Sequence, residues 1–177
     1  MKKLILVNGI PASGKSTVAR IIADELIVPR LSLDEIKEPF MMQLCDAIDR
    51  TLNRKLGYAA YQAMFNIVRQ TPENSILILD AWFGFREKSV LQDYLVSCGI
   101  HHTLEIWNAI SSDRVAARYQ ARVNERIKGH PGNEYLPELI SLAHQAKPMC
   151  IGKCYTVDQD KEINHQELIQ WIKTHLD

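Results

Sequence analysis

Gly9-Ile10-Pro11-Ala12-Ser13-Gly14-Lys15-Ser16 is a complete G-x-x-x-x-G-K-[ST] loop, a pattern that arises by chance in fewer than about 1% of chains of this length. Its surroundings fit. Leu4-Ile5-Leu6-Val7 reads as a short buried strand, and Thr17 to Leu26 as a helix. Strand, glycine-bounded loop and helix form the setting in which this motif binds phosphate. A mere turn between strand and helix would need the glycines but not Lys15 and Ser16.

Backbone geometry dictates the chemistry. Gly9 and Gly14 let the main chain wrap an anion without Cβ clashes. The N–H groups of the loop, Gly9 through Thr17, then point inward at the α- and β-phosphates of a nucleotide, beside the positive end of the following helix. Lys15 carries charge to the β- and γ-phosphates, and the Ser16 hydroxyl is placed to bind Mg²⁺.

Strands and helices alternate along the chain. Apolar runs at 4–7, 76–79, 104–107 and 154–157 predict strands, with a weaker one near 30–33. Helical patterns fall at about 15–26, 54–69, 86–97, 112–127, 134–145 and 164–176. This alternation predicts an α/β fold of three layers, a parallel sheet covered by helices on both faces. In such sheets ligands bind at the carboxyl ends of the strands. A chain of 177 residues is expected to form one domain.

The balance of charge narrows the partners. Lys plus Arg equals Asp plus Glu, at 21 each, which argues against a nucleic-acid or membrane-surface binder. The apolar run after Lys2-Lys3 ends at Asn8, too short for a secretory signal, and no stretch approaches a membrane span. A cytoplasmic protein is the expectation. Cys45, Cys98, Cys150 and Cys154 have neither zinc-ribbon nor C-x-x-C spacing. They are expected as reduced, mostly buried thiols, and no structural metal is expected.

The residues just beyond the strands carry the rest of the chemistry. Asp80 ends the apolar run Ile76–Leu79, where a carboxylate behind a phosphate-binding loop holds Mg²⁺ together with Ser16. Asp34 follows the weak strand near 30–33. A carboxylate there can accept the proton of an acceptor hydroxyl, or it can simply N-cap a short helix ending before Pro39. Arg114, Arg118, Arg122 and Arg126 recur every four residues on one helix. In residues 111–130, five basic side chains face Asp113 and Glu125, a net of +3. Arg118 and Arg122 are read as lid residues that bind the nucleotide and neutralise charge on a transferred phosphoryl group. The turn-rich stretch 128–133 gives that lid a hinge. Trp82, with Phe83 and Arg86 beside it, and Asp34 form the candidate wall of an acceptor pocket.

Together these residues resemble the small P-loop kinases related to nucleoside monophosphate kinases, including chloramphenicol phosphotransferase, gluconate kinase and zeta-toxin-like kinases. The matching signposts are Asn8 to Thr17, Leu33-Asp34, Leu79 to Phe83, and Arg118 with Arg122. The resemblance implies a sheet of about five strands in the order 2-3-1-4-5, MgATP as phosphate donor, and Asp34 as the base. Within the single domain, an acceptor-covering segment is expected at about 34–72, which matches no member of the family, and a lid at about 111–133 from the arginine stripe. Many kinase-like relatives carry H-P-G-H after the lid arginines; here the stretch is His130-Pro131-Gly132-Asn133, so the role of the second histidine does not carry over.

Three activities fit these features: a kinase of a small hydroxyl-bearing molecule, a regulatory ATPase without an acceptor, and a polynucleotide end kinase. The first uses Asp34, the lid and the aromatic segment together. Residues 34–50 hold five acidic side chains against Lys37 and Arg50, a net of −3. If this segment covers the acceptor, that charge favours a neutral or cationic molecule such as an aminosugar, sugar, antibiotic or nucleoside. Phe40, Met41 and Met42 lie in it, while Tyr58, Tyr61 and Phe65 have the spacing of a helix's core stripe.

Overall fold

The computed structural model describes residues 1–176, Cys45 by its backbone alone. Five strands form one parallel sheet: β1 (Lys3–Asn8), β2 (Arg30–Ser32), β3 (Ile76–Ala81), β4 (His102–Ala109) and β5 (Lys153–Asp158). Their order is β2-β3-β1-β4-β5, the order implied by the resemblance. The described α-helices are α1 (Lys15–Leu26), α2 (Leu33–Leu44), α3 (Arg50–Gln70), α4 (Lys88–Ser97), α5 (Ser112–Arg122), α6 (Leu136–Gln145) and α7 (His165–Leu176).

The central strands are buried on both faces, so they read as unbroken apolar runs. Successive side chains alternate between the faces. Leu4, Leu6, Leu77 and Leu79 pack with Tyr61, Met64 and Phe65 of α3 and Leu91 and Leu95 of α4. Ile5, Val7, Ile78 and Ile106 pack on the other side with Val18 and Ile22 of α1 and Leu168 and Ile172 of α7. A third cluster, with Ile10, Val115, Tyr119, Tyr135 and Leu139, joins the phosphate loop to α5 and α6.

Because every strand is parallel, Asn8, Ser32, Ala81, Ala109 and Asp158 end on one edge of the sheet. A helix of 21 residues such as α3 is about 31 Å long, while a six-residue strand such as β3 spans about 20 Å. α3 precedes β3 in a crossover and runs against it, so its N-terminal part overhangs the carboxyl edge. Asp49 starts it, its Oδ1 accepting from the Leu52 N–H at 2.6 Å.

Two helices depart from expectation. α2 does not stop before Pro39 but runs through it to Leu44. The proline forfeits one backbone bond, and packing of α2 along α3 with Met41 buried holds the helix. Asp34 is therefore inside the first turn rather than its cap; that place is taken by Ser32, whose Oγ accepts from the Glu35 N–H at 3.5 Å. α5 ends at Arg122, followed by a 3-10 turn at Val123–Glu125, and Arg126 is extended. The arginine stripe thus breaks before its last member. Of the described cysteine side chains only Cys98 is buried; Cys150 is exposed and Cys154 partly so.

Candidate active site

A cleft of 560 Å³ opens at the carboxyl edge of the sheet. Its floor is the phosphate loop. Gly14 has φ of 95°, and a Cβ there would lie 2.5 Å from Gln159 Oε1 and 2.9 Å from Arg118 Nη1, so both conformation and packing require glycine. No side chain caps α1, which leaves its first N–H groups free for an anion. Pro11, Ala12, Gly14, Lys15, Ser16 and Thr17 line the cleft. Gly9, Ile10 and Ser13 shape the loop from behind: Ile10 and Ser13 are buried, and a Cβ on Gly9 would meet Ser13 Oγ at 2.5 Å.

Asp80 is 2% exposed at the end of β3. Its Oδ2 accepts from Arg30 Nη1 at 3.0 Å, while Oδ1 is buried with no hydrogen-bond partner among the described residues. Burial raises the carboxyl pKa, and the charge of Lys15, the nearby Ser16 hydroxyl and the charge of Arg30 offset part of that rise. A buried carboxylate oxygen without a partner, on the same cleft as the Ser16 hydroxyl, fits a hard cation such as Mg²⁺.

Asp34, half open to the cleft, accepts from Lys37 Nζ at 3.1 Å. Burial alone would raise its pKa. Lys37 and Lys15 outweigh burial and bring it down to about 2, so the group is a carboxylate at neutral pH.

The arginines divide into three kinds. Arg118 is an anchor: Nη1 donates to Ser13 O at 2.9 Å and to Gln159 Oε1 at 3.0 Å, and Nη2 to Gln159 O at 3.4 Å. Gln159 Nε2 donates to Asn108 Oδ1 at 2.8 Å, and Asn108 Nδ2 to Asn8 O at 3.0 Å. α5 is thereby tied to the phosphate loop through β5, β4 and β1. Arg118 does not line the cleft, whereas Arg122 and Arg126 do. Arg126 stacks over the Tyr119 ring at 5.3 Å and donates to His130 Nδ1. Arg114 stands at the start of α5, where its backbone N–H donates to Ser111 Oγ at 3.4 Å.

His130, Pro131, Tyr135 and Glu138 line the cleft from the region after α5. Lys128 pairs with Asp46, His130 with Glu38, and Arg50 with Glu138. These contacts join the region after α5 to α2 and α3.

Trp82 lines the cleft, 6.3 Å from the Phe85 ring. Phe83, expected beside it on the acceptor wall, is fully buried in the core with Tyr61 and Phe65. Its N–H donates to Asn8 Oδ1 at 3.0 Å, turning the side chain inward. Arg86 is not on the cleft surface either: its guanidinium lies 3.9 Å over the Tyr58 ring. Tyr58 itself lines the cleft, unlike Tyr61 and Phe65 in the same stripe.

Several solved structures share the whole architecture. A candidate kinase from Chloroflexus aurantiacus superposes with a TM-score of 0.85 over 99% of both chains, at 25% identity. The deoxyadenosine kinase of M. mycoides has a TM-score of 0.61 at 17% identity, covering 99% of this chain and 98% of that one. The shikimate kinase of Bacteroides thetaiotaomicron has a TM-score of 0.59 at 17% identity, covering 98% and 97%. The chain has the small P-loop kinase fold. No family model matches the sequence, nor does any curated protein.

Within that fold, several residues in or behind the cleft carry little signal in the sequence. Arg30 sits 50 positions from Asp80, and Glu38 sits 92 from His130. Gln159 follows β5 as any loop residue would. Asn53, Arg54 and Tyr58 reach the cleft because α3 overhangs the sheet. Among the ion pairs at the cleft, Asp34–Lys37 is local, at i, i+3. No helix among the described residues is long and apolar enough to cross a membrane.

Proposed function

We propose that the protein is an ATP-dependent kinase that transfers the γ-phosphate of MgATP to a hydroxyl group of a small molecule. The observation that carries this reading is that Lys15, Asp34 and Asp80 line one cleft. A lysine of the phosphate-loop motif, an ionised carboxylate and a buried second carboxylate on one cleft support this reading.

The residues divide the work. The N–H groups of the loop from Gly9 to Thr17 cradle the donor phosphates, and Lys15 answers the charge on the β- and γ-phosphates. Arg118 braces the loop by holding Ser13 O. Ser16 and Asp80 would hold Mg²⁺, which supplies charge neutralisation at the phosphates when bound. Asp34 orients the acceptor hydroxyl. As the new O–P bond forms and the bond from the γ-phosphorus to the leaving oxygen of ADP breaks, the hydroxyl proton passes to the Asp34 carboxylate. A carboxylate with pKa of about 2 is a weak base, so it acts chiefly by positioning and takes the proton late in the step. Arg122 stabilises charge on the phosphoryl group in flight.

Residues 111–133 act as the lid, and residues 34–72 cover the acceptor. The Lys128–Asp46, His130–Glu38 and Arg50–Glu138 contacts support this reading, because they link the two segments at the cleft, where a lid would exclude water that otherwise hydrolyses ATP. ADP release measured with and without a panel of small hydroxyl compounds tests it. Stimulation by one class of compound, with a phosphorylated product, is the expected result. ATP turnover indifferent to every compound would instead mark a regulatory ATPase.

A further inference from the structure

Most of the acidic charge of the 34–50 segment does not reach the cleft. Glu35 pairs with Arg30 and Asp46 with Lys128, Glu38 accepts a hydrogen bond from the His130 ring, and Asp49 caps α3. Of the five acids only Asp34 lines the cavity. The carboxylates that do line it are each matched already: Asp34 by Lys37, Asp80 by Arg30 and Glu138 by Arg50. Lys15, Arg54 and Arg122 also line it. Among the described residues, none of these three has a hydrogen-bond or ion-pair partner.

Lys15 and Arg122 answer the donor phosphates. Arg54 is left over, on the overhanging N-terminal part of α3. Beside it Asn53 lines the same cleft, and its Oδ1 is buried without a hydrogen-bond partner among the described residues. A guanidinium is a planar fork of donors that matches a carboxylate or a phosphate monoester. A buried amide oxygen without a donor leaves a place for a hydroxyl. Tyr58 and Trp82 supply flat apolar faces in the same cavity, suited to the carbon skeleton of a polyol or ring.

Resting on the kinase reading above, we infer that the phosphate acceptor is a small hydroxylated acid. Its acidic group sits on Arg54, one hydroxyl donates to Asn53 Oδ1, and the hydroxyl to be phosphorylated faces Asp34. The substrate class is therefore anionic, opposite to the neutral or cationic class that the charge of the 34–50 segment suggests.

The test uses the full chain saturated with Mg²⁺ and the non-hydrolysable analogue AMP-PNP. Hydroxylated carboxylates, phosphate monoesters, neutral polyols and aminosugars of matched skeletons are titrated calorimetrically, and the same compounds are assayed for ADP release with MgATP. Acids are expected to bind about tenfold or more tightly than their neutral and amino counterparts. The carboxylate and monoester arms tell which acidic group fits. Arg54→Gln is expected to erase the preference while the AMP-PNP affinity stays the same, and Arg54→Lys to keep part of it. Neutral or amino compounds binding as well as acids, no acid binding at all, or an unchanged preference in Arg54→Gln overturns the inference. Acid binding through Arg54 without ADP release upholds the anion site and overturns the kinase reading instead.

Discussion

Arg126 Nη2 lies 2.9 Å from His130 Nδ1, and a guanidinium has only protons to give. The contact fixes Nδ1 as the acceptor and leaves the ring proton on Nε2, which donates to Glu38 Oε1 at 3.0 Å. The imidazole is held neutral between Arg126 and Glu38 of α2. Burial first, then the charges of Arg126 and Lys37, bring its pKa down from 6.5 to about 4, with Asp34 opposing.

A depressed folded pKa means that the unfolded chain binds the proton more readily. His130 therefore contributes stability that is complete above pH 6.5 and is lost as pH falls toward 4. Glu38, whose own pKa is raised by burial and by Asp34, takes up a proton on folding and offsets part of this at the acid end. Urea midpoints of wild type and His130→Gln, measured from pH 7.5 to 5, are expected to converge as pH falls. Parallel curves would remove His130 from the account.

Lys15→Ala and Ser16→Ala separate two functions of one loop. Lys15→Ala leaves the triphosphate without its cation and is expected to weaken ATP binding roughly 10–100-fold. Ser16→Ala removes one oxygen beside Asp80 and is expected to shift turnover to higher Mg²⁺ while much of the nucleotide affinity remains. ATP titrations at several Mg²⁺ concentrations check both, and unchanged behaviour in either variant contradicts its role.

Arg118 and Arg122 are one helical turn apart, yet they are expected to fail differently. A lysine at 118 cannot span Ser13 O, Gln159 Oε1 and Gln159 O together, so Arg118→Lys loosens the phosphate loop and raises the KM for ATP. Arg122 touches no partner among the described residues, so Arg122→Lys lowers kcat with ATP affinity largely kept. Steady-state kinetics resolve the two. The reverse pattern would exchange their assignments.

The phosphate loop, Asp80 and the parallel sheet were legible in the sequence because each depends on neighbours along the chain: a fixed spacing, an apolar run, alternating elements. What was not legible depends on contacts between distant elements. α2 continues through Pro39 because α3 supports it, which a local rule about proline does not see. Arg126 keeps the spacing of the Arg114–Arg118–Arg122 stripe, but α5 unwinds before reaching it. The acids of residues 34–50 summed to a negative segment, whereas their partners Arg30, Lys128 and His130 come from elsewhere in the chain and leave the cleft to cations.

Trp82 and Phe83 are neighbours with opposite fates. Phe83 is fully buried, and Phe83→Ala is expected to cost about 3–5 kcal/mol of stability. Trp82→Ala is expected to raise the KM for the acceptor with a smaller loss of stability and little change in ATP affinity. Chemical denaturation with acceptor kinetics distinguishes them. Equal destabilisation by both substitutions, with normal acceptor KM, would place Trp82 in the core.

Asp34→Asn keeps the side chain's size and removes its charge, which makes it the most direct probe of phosphoryl transfer. ³¹P NMR of MgATP with an acceptor compound follows the γ-phosphate itself. With wild-type protein, a phosphomonoester resonance is predicted to grow in step with ADP. With Asp34→Asn, it is predicted to grow on the order of 10²–10⁴-fold more slowly, while calorimetry gives an unchanged ATP affinity. Inorganic phosphate as the only product of the wild type, or full-rate phosphomonoester formation by Asp34→Asn, would contradict the account.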